Sequence, residues 1–276
     1  MEISREDPTN SRIDKFLFQP VDATAAAWLR IAFAIAIPYF FWSVGQLPKS
    51  STPEILQLLY ETVILTPGHR ILMVSLCILL GIGWRPRLCG FVLAPLLFPL
   101  CFLPAGHVSR QVILVALVLF SFIPSGVARK PWQTNRENLN ASSGPCWPVR
   151  LLQIHLTLIY GANALAKSSE IYLRGEALMD MSLVLWNFKV DLSSGYLTAG
   201  SLAIPVALVA VSSTLTEYLL AFGFWVRRFR WLIAIVGIGF HYVLDHVVGI
   251  YKLHHATIFL YLVFLLPLIP AENDSK

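Results

Sequence analysis

The amino-acid sequence predicts an all-α protein: a polytopic transmembrane helical bundle of about eight spans, flanked by amphipathic helices at the membrane interface. Three observations carry this. Hydrophobic residues make up 56% of the 276 residues and charged residues 13%, whereas a soluble domain carries about 25% charged residues. The mean hydropathy is +0.65, too apolar for a disordered chain. The apolar residues also fall into runs long enough to enter a bilayer, separated by compact loops. With 16 glycines, 17 prolines and 4 cysteines, collagen-like and disulfide-scaffold classes are excluded. The net charge of +5 then reflects orientation in the bilayer, and no nucleic-acid partner is expected.

Residues 1–23 form an N-terminal segment carrying Glu2, Arg5, Glu6, Asp7, Arg12, Asp14 and Lys15. No apolar signal-peptide core precedes them, so the first span is expected to act as its own insertion signal. The transmembrane domain covers residues 24–270 and a short tail covers 271–276. The candidate spans are Thr24–Val44, Ile71–Trp84, Leu88–Leu103, Gln111–Ile123, Arg150–Ala166, Leu202–Phe222, Trp231–Tyr251 and His255–Pro270. Spans two to four are short, with tight turns such as Gly83-Trp84-Arg85-Pro86-Arg87 between them. The alternative there is one hairpin of partly re-entrant helices over 71–103.

Loop charge sets the orientation. With the N-terminus inside, thirteen Lys and Arg fall on the inner side and seven on the outer. Both termini are therefore expected in the cytoplasm, and the compact loops suit a bacterial inner membrane. Asn140 and Asn273 begin sequons on the inner side, so a glycan at Asn140 would overturn this topology. Glu54–Glu61 and Gly175–Trp186 read as amphipathic helices along the outer interface. The polar loop Gly126–Pro148 reads as a linker. Cys77, Cys89, Cys101 and Cys146 form no C-x-x-C pair and read as small buried apolar residues.

Ionisable residues at membrane depth need partners or a task. Arg30 lies about six residues from the inner end of span one. Glu217 lies about five from the inner end of span six. Both therefore sit about 8–9 Å below the inner surface, and an Arg30–Glu217 ion pair is expected. The alternative is that each meets a backbone or hydroxyl group, with Ser213, Thr214 and Thr216 close by. In span seven, His241 and Asp245 are four residues apart and share a helical face. They suit a proton relay or a hydrogen-bonded structural histidine, and no metal is predicted because no third ligand has a recognisable spacing. His155 reads as a packing residue. On the outer side, His69, His107, Lys167, Lys252, His254 and His255 gather at span ends. A lysine among apolar residues can lose its proton and act as a base, with histidine beside it to polarise an oxyanion. The plain alternative is a rim of snorkelling lysines and wet histidines.

Several segments resemble the HTTM (horizontally transferred transmembrane) domain family, the family of the vitamin K-dependent γ-glutamyl carboxylase. The resemblance covers residues 13–270. Phe18-Gln19-Pro20-Val21-Asp22 followed by Leu29-Arg30 is similar to the family's approach to its first span, and Gly106-His107 to an Asn-His before span four. The run Leu152-Gln153-Ile154 through Tyr160, then Ala166-Lys167, then Gly175-Glu176-Ala177-Leu178, resembles its most characteristic segment. Glu217 and Phe240-His241 match an acidic position and a Phe-His in later spans. The resemblance implies Lys167 as catalytic base and His107 as its helper. It implies a reduced quinone of the vitamin K or menaquinone type, O2 and CO2 as co-substrates, and quinol oxidation with lyase-type carboxylation as one outcome. Departures are Ala166 for a lysine, Tyr172 for a tryptophan, Gly106 for an asparagine, and no counterpart in these residues to the carboxylase's lumenal β-rich region. Membrane lipid, a quinol, and a separate soluble partner or peptide substrate are the expected partners. The alternative function is a non-catalytic membrane bundle, transporter-like or a partner-binding subunit of a peptide-maturation system.

Overall fold

The computed structural model describes residues 12–44, 66–98, 108–123, 145–178, 189–191, 196–199, 202–246 and 258–266. It is mostly helical, as expected. The helices are α1 (Arg12–Phe18), α2 (Ala23–Val44), α3 (Pro67–Ile82), α4 (Pro86–Leu97), α5 (Val108–Ser121), α6 (Trp147–Ala166), α7 (Glu170–Leu173), α8 (Val206–Gly223), α9 (Arg230–His246) and α10 (Leu262–Leu265). Among the described residues one helix, α8, is long and apolar enough to cross a membrane by length and composition. The apolar helical stretches Ala23–Tyr39, Pro67–Ile82, Pro86–Leu97 and Gln111–Ser121 are shorter.

Local signals explain the boundaries. Asp22 Oδ1 accepts from Ala25 N at 2.6 Å and starts α2. Thr66 caps α3 through His69 N, and Pro67 occupies its first turn. Gly83 ends α3 at φ 87°, where its N–H and that of Trp84 both reach Leu79 O. A side chain is strained at that φ, and a Cβ there would lie 2.7 Å from Arg30 Nη1.

Two candidate spans differ from expectation. The segment assigned to the start of span six is instead strand β3 (Leu202–Pro205). It pairs antiparallel with β2 (Tyr196–Ala199), which pairs with β1 (Lys189–Asp191). Pro205 disfavours helical backbone at Ile204, so the chain stays extended until Val206. Within His255–Pro270, the described residues form a 3₁₀ turn at Phe259–Tyr261 and the four-residue α10. Leu266, which precedes Pro267, is extended at ψ 144° for the same reason. The amphipathic segment at 54–61 lies outside the described residues. Of 175–186, Gly175 is a turn, residues 176–178 are helical and 179–186 lie outside the described residues.

The helices pack in sequence order, α2 on α3, α3 on α4, α4 on α5, α5 on α6, and then α6 on α8 and α8 on α9. The core joins Leu29, Phe33, Leu80, Leu93, Phe120, Leu152 and Phe264 from both parts of this series. Cys77, Cys89 and Cys146 are free and buried, as read from the sequence. A mainly apolar core encloses a few polar groups, and many large apolar side chains face outward. Arg30, Gln153, Thr214, Glu217 and His241 are buried, while Ile71, Ile82, Leu215, Trp231 and Ile235 are each more than 60% exposed.

Candidate functional site

Helices α6 and α8 run antiparallel but are staggered. Trp225 Nε1 donates to Thr157 Oγ1 at 2.8 Å near one end. Further along, a Cβ at Gly161 would lie 3.9 Å from Ala221 Cβ. Thr214 Oγ1 donates to Lys167 O at 3.5 Å, where α6 stops. Helix α8 then continues back to Val206, about 12 Å beyond that level. Lys167, the residue that closes α6, therefore meets the middle of α8 and not its end.

The result is an ion pair. Lys167 Nζ lies 2.8 Å from Glu217 Oε1, with side chains 26% and 5% exposed. The same amine donates to Ser213 Oγ at 3.4 Å and lies 5.7 Å from the centroid of the Tyr172 ring. Glu217 Oε2 is buried and has no hydrogen-bond partner among the described residues. The turn after Lys167 is fastened in place. Ser168 Oγ donates to Ala164 O and lies 3.0 Å from Tyr218 OH, and Ser169 caps α7 through Tyr172 N. Gly175, at φ 85°, then packs on the start of α8, where a Cβ would lie 2.7 Å from Val206 Cγ1 and 3.0 Å from backbone.

This arrangement corrects the expected Arg30–Glu217 pair. Glu217 is paired to Lys167, and Arg30, fully buried, lies against Gly83 at the turn between α3 and α4. The expectation assumed that all helices end in the same two planes. The stagger brings the end of α6 to the depth of Glu217 and removes that assumption.

A second buried polar cluster lies on the same helices. Tyr160 OH is 2.9 Å from His241 Nε2 and 2.9 Å from Tyr261 OH. Tyr160 precedes Lys167 by two turns of α6 and shares its face. His241 is thus engaged by tyrosine. The side chain of its expected partner Asp245 lies outside the described residues, as do His107, Lys252, His254 and His255. Of the outer-side group, His69 lies in the first turn of α3, where its backbone N–H donates to the capping Thr66, and α3 packs on α2 and α4, while Lys167 finds its partners on α7 and α8. Sequence reasoning missed Tyr160 and Tyr261. The seven-residue interval from Tyr160 to Lys167 was a usable signal, but Tyr261 offered none. Gln153 was missed too: its Nε2 donates to Val263 O, and with Arg230, which donates to Phe264 O, it satisfies carbonyls at the end of α10. Among the described residues no group of three His, Cys, Asp or Glu is placed to hold a metal.

The fold and site define a class: a mostly helical bundle with many large apolar side chains exposed and a buried ion pair within an apolar core. Comparison with family models, curated proteins and solved structures finds no match to the chain.

Proposed function

We propose that this chain is a polytopic membrane protein that uses Lys167 as a general base toward a quinol-like lipid. The carrying observation is the amine of Lys167, part-exposed at the end of α6 and held 2.8 Å from a carboxylate almost removed from solvent. The membrane reading rests on the many large apolar side chains that face outward and on Arg30 and Glu217 buried among the helices. Lys167 becomes a base when its proton passes to Glu217, leaving a neutral amine beside a neutral acid. The amine then takes the hydroxyl proton of the quinol and leaves a quinolate next to the regenerated ammonium. The HTTM resemblance adds His107 as helper, and O2 and CO2 as co-substrates of the vitamin K or menaquinone type of quinol. The compact loops and the Lys/Arg excess on the inner side support a bacterial inner membrane with both termini inside, and the resemblance supports a peptide or soluble partner as acceptor.

A second reading has its own observation. Lys167 is already bound by Glu217 and Ser213, with its backbone carbonyl engaged by Thr214. That is also how a purely structural staple of α6 to α8 would look, and it suits a non-catalytic bundle. Purified protein in detergent, given reduced menaquinone or vitamin K and oxygen, separates the two. The enzymatic reading expects epoxide or quinone formed faster than in protein-free controls, and loss of that excess in Lys167→Ala. Turnover unchanged in Lys167→Ala excludes the assigned base, and no turnover with any quinol favours the staple.

A further inference from the structure

We propose that Glu217, Tyr160 and His241 form an internal proton path that drains the Lys167 amine into the bundle. The role of this path rests on Lys167 acting as a base, but its existence does not, and the test below needs no turnover.

Three observations converge. The first is the orphaned oxygen. Glu217 Oε1 accepts from Lys167, while Oε2, on a residue 4% exposed, has no partner among the described residues. A buried carboxylate oxygen without a donor is expensive, and protonating it removes the buried charge and makes it a donor for a neighbour reached by rotation or through water. The second is register. Lys167 O meets Thr214 and Gly161 faces Ala221, so Glu217 lies at a depth between Lys167 and Tyr160 along α6. On the other side of α8, a Cβ at Gly237 of α9 would lie 2.8 Å from Leu220 Cδ2, and one at Gly223 2.9 Å from Ile233 Cγ1. One further turn in opposite directions brings Glu217 and His241 level. The third is the chemistry of the Tyr160 hydroxyl. It is within 2.9 Å of both His241 Nε2 and Tyr261 OH. It donates to a neutral imidazole while accepting from Tyr261, and equally accepts from an imidazolium.

The transfer balances as follows. The Lys167 ammonium gives a proton to Glu217 and becomes a neutral amine. The Glu217 carboxylic acid, after rotation or through one bridging water, gives a proton to the Tyr160 oxygen. Tyr160 in the same event gives its own proton to His241 Nε2. The carboxylate of Glu217 is restored, Tyr160 remains a neutral phenol, and the charge rests on His241. Around the two ends of the path stand Lys167 and Tyr160 from α6, His241 from α9, Tyr261 from the 3₁₀ turn, and Ser213 and Thr214 on α8 itself; of these, Lys167 is in direct contact with Glu217, and Tyr160 joins His241 to Tyr261. Tyr172 lies over the amine, and the Glu170–Arg174 pair is exposed on and just after α7.

Histidine ring-carbon NMR of the full chain in detergent tests this, with the His241 signal assigned by His241→Asn. Lys167→Met and Glu217→Gln should each move the His241 titration midpoint by about one pH unit, as coupled sites do. Tyr160→Phe should abolish the response to Lys167→Met. Lys167→Arg keeps the charge and should leave the midpoint near its wild-type value, which covers the case in which Lys167→Met fails to fold. A Tyr160 that merely buttresses the imidazole would alter the His241 signal in Tyr160→Phe alone. If Lys167→Met and Glu217→Gln leave His241 unmoved, the path does not exist. Absence of quinol turnover with intact coupling would instead remove only the enzymatic reading.

Discussion

Helices α2 to α5 and helices α6 to α9 are built by different rules. The first group packs through apolar and small side chains, such as Phe33 against Phe120 with ring centroids 4.8 Å apart, and Gly90 against Ser121. The buried charge among its described residues, Arg30, lies against the turn at Gly83. The second group is tied by polar contacts across helices: Lys167 to Glu217, Trp225 to Thr157, Tyr160 to His241 and Tyr261, and Gln153 to Val263. Packing by close approach specifies where helices touch. Packing by buried hydrogen bonds also specifies their register, because a shifted helix leaves a donor stranded. In the second group positions are fixed along the helix axis as well as around it, as the proposed site at Lys167 requires.

Substitutions break or sharpen that contrast in a graded series. Lys167→Met should do the most damage, since it strands a buried carboxylate. Unfolding in detergent should show a loss of about 3–5 kcal/mol. Adding Glu217→Gln to it should recover part of that loss, because the stranded charge is then gone; no recovery would mean the pair is not coupled. Gly175→Ala comes next at about 3 kcal/mol, combining an unfavourable φ with a collision against the backbone of α8. Its counterpart Gly83→Ala should cost less, about 1–2 kcal/mol, because the obstructing atoms belong to the end of the Arg30 side chain. Equal losses at the two glycines would erase the contrast. Tyr160→Phe should cost about 1 kcal/mol in thermal or denaturant unfolding. Ser121→Ala in the first group should change stability by less than about 0.5 kcal/mol. Its hydroxyl only donates back to Leu117 O of its own helix.

Much of the helical layout was legible in the sequence. Thr66-Pro67 and Gly83 bracket α3 as a cap, a first-turn proline and a left-handed stop, and apolar runs mark α2, α6, α8 and α9. The β3 segment was legible in principle through Ile204-Pro205, but an apolar run of helical length hid it. Lys167 and Glu217 were both singled out, yet not as partners. Depth was counted from span ends, and a single sequence does not record how far one helix slides past its neighbour. The joining of Tyr160, His241 and Tyr261 was invisible for a related reason: the three come from separate elements, and Tyr261 belongs to a 3₁₀ turn with no periodic signature.

The segment from Lys167 to Gly175 has both ends docked on one helix, at Thr214 and at Val206. It behaves as a strut of fixed span. Lengthening it by a single residue while keeping every side chain would force one anchor to yield, either freeing the glycine from the top of α8 or pulling the amine away from its carboxylate. The placement of this lysine against its carboxylate is therefore encoded in a chain length as much as in the residues that surround it.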